Sequence, residues 1–298
     1  MNKKKKVFSG CATAIITPFK GDKVDFESFS RLIDFQITKG VSALVVLGTT
    51  GESANVSEKE RIEIIKHARK MTEGKIPLIV GAGSNSTAVA IKKTHIATEY
   101  GADAILSVTP YYNKATNEGV YRHYSEIARA TSLPIILYNV PSRTGLKLSE
   151  GALDMLKDIE NIVGVKEASG DISEVEQKIA KFSDFYHFYS GCDELILPIY
   201  ALGGEGVISA CANVIPREIA TLCRLFEQND IKSAREIARK ISPLIKELFA
   251  EVNPIPVKCA LNLMGMCENT LRLPLTPSTR QNEIKNELEK LKKNKSPI

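Results

Sequence analysis

No stretch of this 298-residue chain approaches the run of about 18 apolar residues that a membrane-spanning helix needs. No CxxC pair occurs among the cysteines at 11, 192, 211, 223, 259 and 267, so reduced, buried thiols are expected. The histidines at 67, 95, 123 and 187 show neither HxH nor HExxH spacing. That removes the common zinc-hydrolase patterns, and no metal is expected. Aromatic residues interleaved with basic ones are missing, which argues against a nucleic-acid partner. The net charge of +5 is mild, and much of it sits in Lys3 to Lys6 and in the closing "LKKNKSPI". Those runs read as solvated tails. "MNKKKK" resembles the start of a signal peptide, but only Val7 to Gly10 precede Cys11. A signal peptide needs an apolar stretch of roughly 7–15 residues there, so a cytoplasmic location is expected.

What the chain does have is repetition. Short β-rich runs occur at 11–19, 42–48, 77–83, 102–110, 134–140, 162–169, 185–191 and 206–210. Their spacing is that of one strand plus one helix. "SEKERIEIIKHARKM" fills one gap: Ser57 with Glu60 three residues on is a capping box, and Ile62, Ile65 and Ala68 recur at helical spacing. "FESFSRLIDFQITKG" fills another and closes on Gly40, a helix-ending residue. Eight β/α repeats predict an α/β fold, a (β/α)8 TIM barrel, over residues 1–228. A doubly wound open sheet is the alternative, but no GxGxxG follows the first run. From about residue 225 the pattern changes to helices at 231–250, 255–266 and 279–293, predicting a helical extension over 229–298.

A barrel carries its active site at the carboxyl ends of its strands. Polar or glycine-rich clusters fall at those ends, among them "GTTGES", "TPYYN", "YNVPSRTG", "KEASGD" and "SGCDE". Lys166 is the sharpest member. Period-two alternation puts Ile162, Gly164, Lys166 and Ala168 on one face, with small residues beside the lysine stem. A rim lysine that snorkels to water is the plain alternative. Burial disfavours the charged amine, and a neutral amine can attack a ketone and form a Schiff base. Tyr138, in the neighbouring run, could relay protons, or be an ordinary core tyrosine. Thr49 and Thr50 offer hydroxyls in a turn suited to a small carboxylate. Arg143 offers a fork to a second carboxylate, and could equally be a surface charge. Tyr111 and Tyr112 on one tight turn suggest a subunit interface. Cys192 falls near the rim and reads as an inert thiol.

"GTTGES", "TPYYN", "YNVPSRTG" and "GVKEASGD", in this order, closely resemble the dihydrodipicolinate synthase (4-hydroxy-tetrahydrodipicolinate synthase) family of the pyruvate-dependent class I aldolases and lyases. The resemblance covers essentially the whole chain. It implies a lyase of lysine and diaminopimelate biosynthesis that condenses pyruvate with L-aspartate 4-semialdehyde. It further implies a Schiff base of pyruvate on Lys166, no organic cofactor, and a homotetramer built as a dimer of dimers. Residue by residue, Tyr138, Thr49 and Tyr112 match the family's proton relay, the last reaching across a dimer interface. Thr50 matches the pyruvate-carboxylate binder and Arg143 the semialdehyde binder. Gly191 and the Ile208 carbonyl match groups lining the pocket. Ser53, Ala54, Asn85 and Tyr111 match segments where feedback-regulated members bind L-lysine. Val89 stands where those members carry a glutamate, and Glu58 and Arg61 where some carry histidines, so weak or absent inhibition by lysine is expected. The related alternatives are N-acetylneuraminate lyase and 2-keto-3-deoxy sugar acid aldolase, which usually lack the arginine matched by Arg143. A non-catalytic small-acid binder and a phosphate-binding isomerase are the alternatives of other classes.

Overall fold

A computed structural model describes residues 4–293. Strand β1 (Gly10–Ala14) is followed by a small antiparallel hairpin, β2 (Phe19–Lys20) with β3 (Lys23–Val24). Seven more parallel strands follow: β4 (Ala43–Val46), β5 (Leu78–Gly81), β6 (Ala104–Val108), β7 (Ile135–Asn139), β8 (Ile162–Glu167), β9 (His187–Ser190) and β10 (Gly206–Ser209). Together with β1 they close a barrel in the order β1-β10-β9-β8-β7-β6-β5-β4. This is the TIM barrel that the eight repeats predict. The strands are buried on both faces, which explains their near-continuous apolar sequences. Residues such as Ala12, Ala43, Val45, Ile79, Leu106, Ile136 and Ile208 fill the interior. Their neighbours Leu44, Val46, Leu78, Val80, Ile105 and Leu137 pack outward against the helices. Phe8 stacks on Tyr189 at 4.4 Å between ring centroids within the interior cluster.

Helices α1 (Phe26–Thr38) and α2 (Glu58–Thr72) occupy the expected gaps. Ser57 and Glu60 cap α2 reciprocally: the Glu60 N–H donates to Ser57 Oγ at 3.3 Å and the Ser57 N–H donates to Glu60 Oε2 at 2.9 Å. Gly40 follows the cap residue of α1 in a left-handed conformation, φ +83°. Helices α3 (Thr87–Glu99), α4 (Asn117–Arg129), α5 (Pro141–Thr144), α6 (Glu150–Leu156), α7 (Ile172–Phe182), α8 (Ile196–Ala201) and α9 (Pro216–Glu227) complete the ring. The extension is α10 (Ile231–Leu248), α11 (Ile255–Leu263) and α12 (Gln281–Lys293). Its Ile241, Leu244, Val257, Leu261 and Ile284 join the same apolar cluster as the barrel's outer face. The extension therefore shares the barrel's core.

Two expectations need correction. Ile162 does not share the Lys166 face; it packs outward with Val165. The β7–β8 register shifts between Ile135 and Ile136, which pair with Ile162 and Gly164, so Val163 is an extra residue that reverses the alternation. The N-terminal lysines are not all solvated either. Lys4 Nζ donates to the carbonyls of Lys157, Ile159 and Ile162 at 2.7, 2.8 and 2.9 Å, and burial lowers its pKa to about 8. Lys6 pairs with Glu205 at 2.7 Å. Of the C-terminal run, residues 291–293 belong to α12; Lys3 and residues 294–298 lie outside the described residues.

Candidate active site

The rim is built around the last residues of β7 and β8. Tyr138 and Lys166 are register partners, and Lys166 Nζ lies 4.2 Å from the centroid of the Tyr138 ring. Lys166 is 6% exposed and Tyr138 7%, so the amine is held inside the barrel and does not snorkel. Room for its stem comes from glycine. A Cβ on Gly191 would lie 3.0 Å from Lys166 Cε and 2.7 Å from the Ala168 Cβ. Gly164 backs onto the Tyr189 ring, where a Cβ would approach within 3.3 Å. Ile208 is buried in the interior cluster that includes Tyr138.

The residues between these side chains point the other way and lock the two strands. Asn139 Nδ2 donates to Glu167 Oε1 at 2.8 Å, and the Ser169 N–H donates to the same oxygen at 2.9 Å. Lys178, from α7, donates to Glu167 Oε2 at 3.1 Å, both side chains being fully buried. Asp193, one residue beyond Cys192, is a buried carboxyl that accepts from the Ser209 hydroxyl and from the N–H groups of Ala210 and Cys211. Burial pushes its pKa up, against those donors and the Lys166 charge. The Cys192 thiol is pushed up to about 11 by burial, with Asp193 adding to the effect, which suits an inert thiol.

The loop after β4 forms the next part of the rim. Leu47 and Glu52 both adopt left-handed backbone, at φ +57° and +50°. The close approach of β5 helps explain this tight path: a Cβ on Gly81 would sit 2.1 Å from the Leu47 carbonyl oxygen, so only glycine fits there. Thr17 Oγ1 donates to the Gly51 carbonyl at 2.7 Å and ties the loop to the end of β1. Thr49 is half-buried and Thr50 is buried. Thr49, Ser53, Ala54, Tyr111, Arg143 and Asn253 line a cavity of about 330 Å³. Val108, the register partner of Tyr138, also lines it, so the cavity borders the strand next to Tyr138.

Sequence reasoning missed the C-terminal contribution to this loop. Asn253 Nδ2 donates to Thr50 Oγ1 at 2.9 Å, and Arg143 donates to the Asn253 carbonyl at 3.2 Å. Glu52 pairs with Lys258 of α11 at 2.5 Å, both fully buried, and accepts from the Arg272 N–H at 3.1 Å. Arg272 also binds Glu60 at 2.5 Å, which holds that carboxyl down at about 2. "NPIP" gave no signal beyond a break between helices, because these contacts span 110 to 220 residues of sequence. Of the other predicted residues, Lys166, Tyr138, Thr50, Gly191 and Ile208 do not line this cavity, and Tyr112 and Asn85 lie outside it as well. Tyr112 is 91% exposed at φ +70°, and Asn85 presents its carbonyl to Asn113 Nδ2 at 3.5 Å. Val89 is exposed on α3.

A buried lysine facing a tyrosine across two adjacent strands, at the carboxyl rim of a (β/α)8 barrel, marks a lyase of the class I aldolase type. The chain belongs to the Dihydrodipicolinate synthetase family, whose model matches residues 7–295. It is 47% identical over 279 residues to the 4-hydroxy-tetrahydrodipicolinate synthase of Alkaliphilus oremlandii, covering 94% of this chain and 96% of that protein. Identity to the synthase of Thermotoga neapolitana is 48% over 280 residues, covering 92% and 95%. Among solved structures, dihydrodipicolinate synthase from Thermotoga maritima superposes with a TM-score of 0.94 at 44% identity, covering 96% of this chain and 99% of that one. A structure described as a monomeric dihydrodipicolinate synthase variant matches equally well, at TM-score 0.94 and 44% identity, covering 96% and 97%.

Proposed function

We propose that this protein condenses pyruvate with L-aspartate 4-semialdehyde to give 4-hydroxy-tetrahydrodipicolinate in lysine and diaminopimelate biosynthesis. The observation that carries the reading is Lys166, buried inside the rim with its amine over the Tyr138 ring. The Lys166 amine attacks the keto carbon of pyruvate, and loss of water leaves an imine. Loss of a methyl proton gives the enamine, whose carbon attacks the aldehyde carbon and forms the new C–C bond. The resulting alkoxide takes up a proton. The semialdehyde's own amine then adds to the imine carbon, closes the ring and expels the Lys166 amine. One water is released for each product formed.

Tyr138 is placed to pass protons to and from the carbinolamine, with Thr49 and Tyr112 completing the relay. Tyr112 is exposed on its own chain, which leaves its ring free to serve the neighbouring subunit of a tight dimer. Two such dimers form the homotetramer. Thr50 receives the pyruvate carboxylate and Arg143, with its planar fork of donors, the semialdehyde carboxylate. Gly191 keeps space beside the lysine stem, and the Ile208 carbonyl lines the pocket. No organic cofactor is needed, because the imine supplies the electron sink.

Borohydride reduction with pyruvate, followed by peptide mass analysis, tests the mechanism. A pyruvate-derived adduct on the peptide holding Lys166 is expected; a folded protein without one would sink it. L-lysine is expected to inhibit weakly or not at all. Val89 offers no charge to a ligand ammonium, while Lys93 adds a cation to the cavity wall beside Ser53 and Tyr111. An inhibition curve with a sub-millimolar midpoint overturns that expectation.

A further inference from the structure

Asn253 belongs to the helical extension, yet it bridges two rim loops of the barrel. Its side chain bonds Thr50 and its backbone carbonyl accepts from Arg143. It is 8% exposed, and its Oδ1 is buried without a hydrogen-bond partner. An orphaned buried acceptor is costly, so this amide is held for what its other end does. The Thr50 hydroxyl has one hydrogen and two lone pairs. By accepting from Asn253 Nδ2 it uses a lone pair and keeps its hydrogen. A carboxylate only accepts, so it needs that hydrogen. With the amide reversed, Thr50 would donate to Asn253 and turn lone pairs towards the ligand.

We propose that Asn253 is a positioning residue that fixes the Thr50 hydroxyl as a donor to the keto-acid carboxylate, making the extension part of the substrate site. The inference rests on the function proposed above. The rest of the extension holds Asn253 in place. The buried Glu52–Lys258 pair and the Glu52–Arg272 contact fasten the Thr50 loop to it. The two contacts of Asn253 differ in kind, and this gives the proposal its test. Only the backbone of Asn253 meets Arg143, so side-chain changes act on pyruvate and leave the semialdehyde contact in place.

Borohydride trapping of pyruvate on Lys166 and steady-state kinetics are to be measured for Asn253→Asp, Asn253→Ala and Thr50→Ala, with thermal melts for folding. An ionised aspartate can only accept from Thr50, and it adds negative charge beside the carboxylate. Asn253→Asp should raise the half-saturating pyruvate concentration roughly 10–100-fold. The semialdehyde KM should change less than about threefold by the same comparison. The pyruvate loss should shrink at low pH as the aspartate protonates. Asn253→Ala and Thr50→Ala should be strongly non-additive in a double-mutant cycle. Unchanged pyruvate half-saturation, equal losses for both substrates, or additive effects overturn the proposal. If Asn253→Asp does not fold, Asn253→Ser carries the same comparison, since it too removes the amide donor. A wild-type protein that traps no pyruvate contradicts the proposed function instead; trapping that ignores Asn253 contradicts this inference alone.

Discussion

Lys166 is a long side chain held inside the barrel, and its neighbours explain how it is kept there. The Tyr138 ring lies under the amine, glycine at 191 leaves space for the stem, and Asp193 attracts from the end of β9. Tyr138→Phe keeps that ring but removes the hydroxyl. It should lower kcat by roughly 10²–10⁴ while pyruvate trapping on Lys166 still reaches completion, more slowly. An unchanged kcat removes Tyr138 from the relay. Arg143→Ala should weaken semialdehyde use far more than Schiff-base formation with pyruvate. Equal losses in the two assays contradict its role. Cys192 should resist alkylation at neutral pH, because burial keeps its thiol protonated up to about 11. Rapid iodoacetamide labelling of the native protein argues against that.

The informative elements are β8 and the loop after β4. In β8 alternate residues do separate jobs: Lys166 faces inward, while Glu167 joins Asn139 and Lys178 behind the barrel wall. Lys178→Met would leave the Glu167 carboxylate buried without its cation, which typically costs about 3–5 kcal/mol. A change below 1 kcal/mol in denaturant unfolding means the pair is dispensable. The loop after β4 is clamped from outside by Arg272 on Glu60. Glu60 titrates lower in the folded state than in the unfolded chain, chiefly through its bond to Arg272. Its contribution is therefore complete above the ordinary glutamate pKa of about 4.3 and is lost as pH falls through about 2. The Tm difference between the wild type and Glu60→Gln should be constant near neutrality and narrow below pH 4. A difference that does not vary with pH refutes the linkage. The strand itself was legible from "IVGVKEASGD", but its alternation was not. The extra residue at Val163 depends on register with β7, and no single strand displays its register.

At the scale of the molecule, the barrel and its extension act as one body, because α10, α11 and α12 bury their apolar faces in the barrel's outer core. Among the described residues the most exposed large apolar side chain is Tyr112, on the carboxyl rim at a left-handed backbone position. The proposed relay gives that ring its use in a neighbouring copy. Sedimentation should find a tetramer, and Tyr112→Phe should reduce turnover without changing the assembly. A protein that is fully active as a monomer overturns both the assembly and the shared relay. The repeat count, rim clusters and lysine were all visible in the sequence because each is local, or periodic along the chain. Asn253 was not, since nothing in "NPIP" states that it will meet Thr50.

Eight strands, the rim lysine and the family's motifs follow from the sequence alone, because repeat spacing, capping and turn chemistry act over a few residues. Tertiary structure decided which side chains meet. Closing the barrel set Tyr138 against Lys166, shifted Ile162 outward, and drew the Lys4 amine into a cluster of carbonyls. Folding the extension back brought Asn253 to Thr50 and Lys258 to Glu52. Those contacts are long-range, and their energy comes from burial and donor geometry that exist only once the chain has closed on itself.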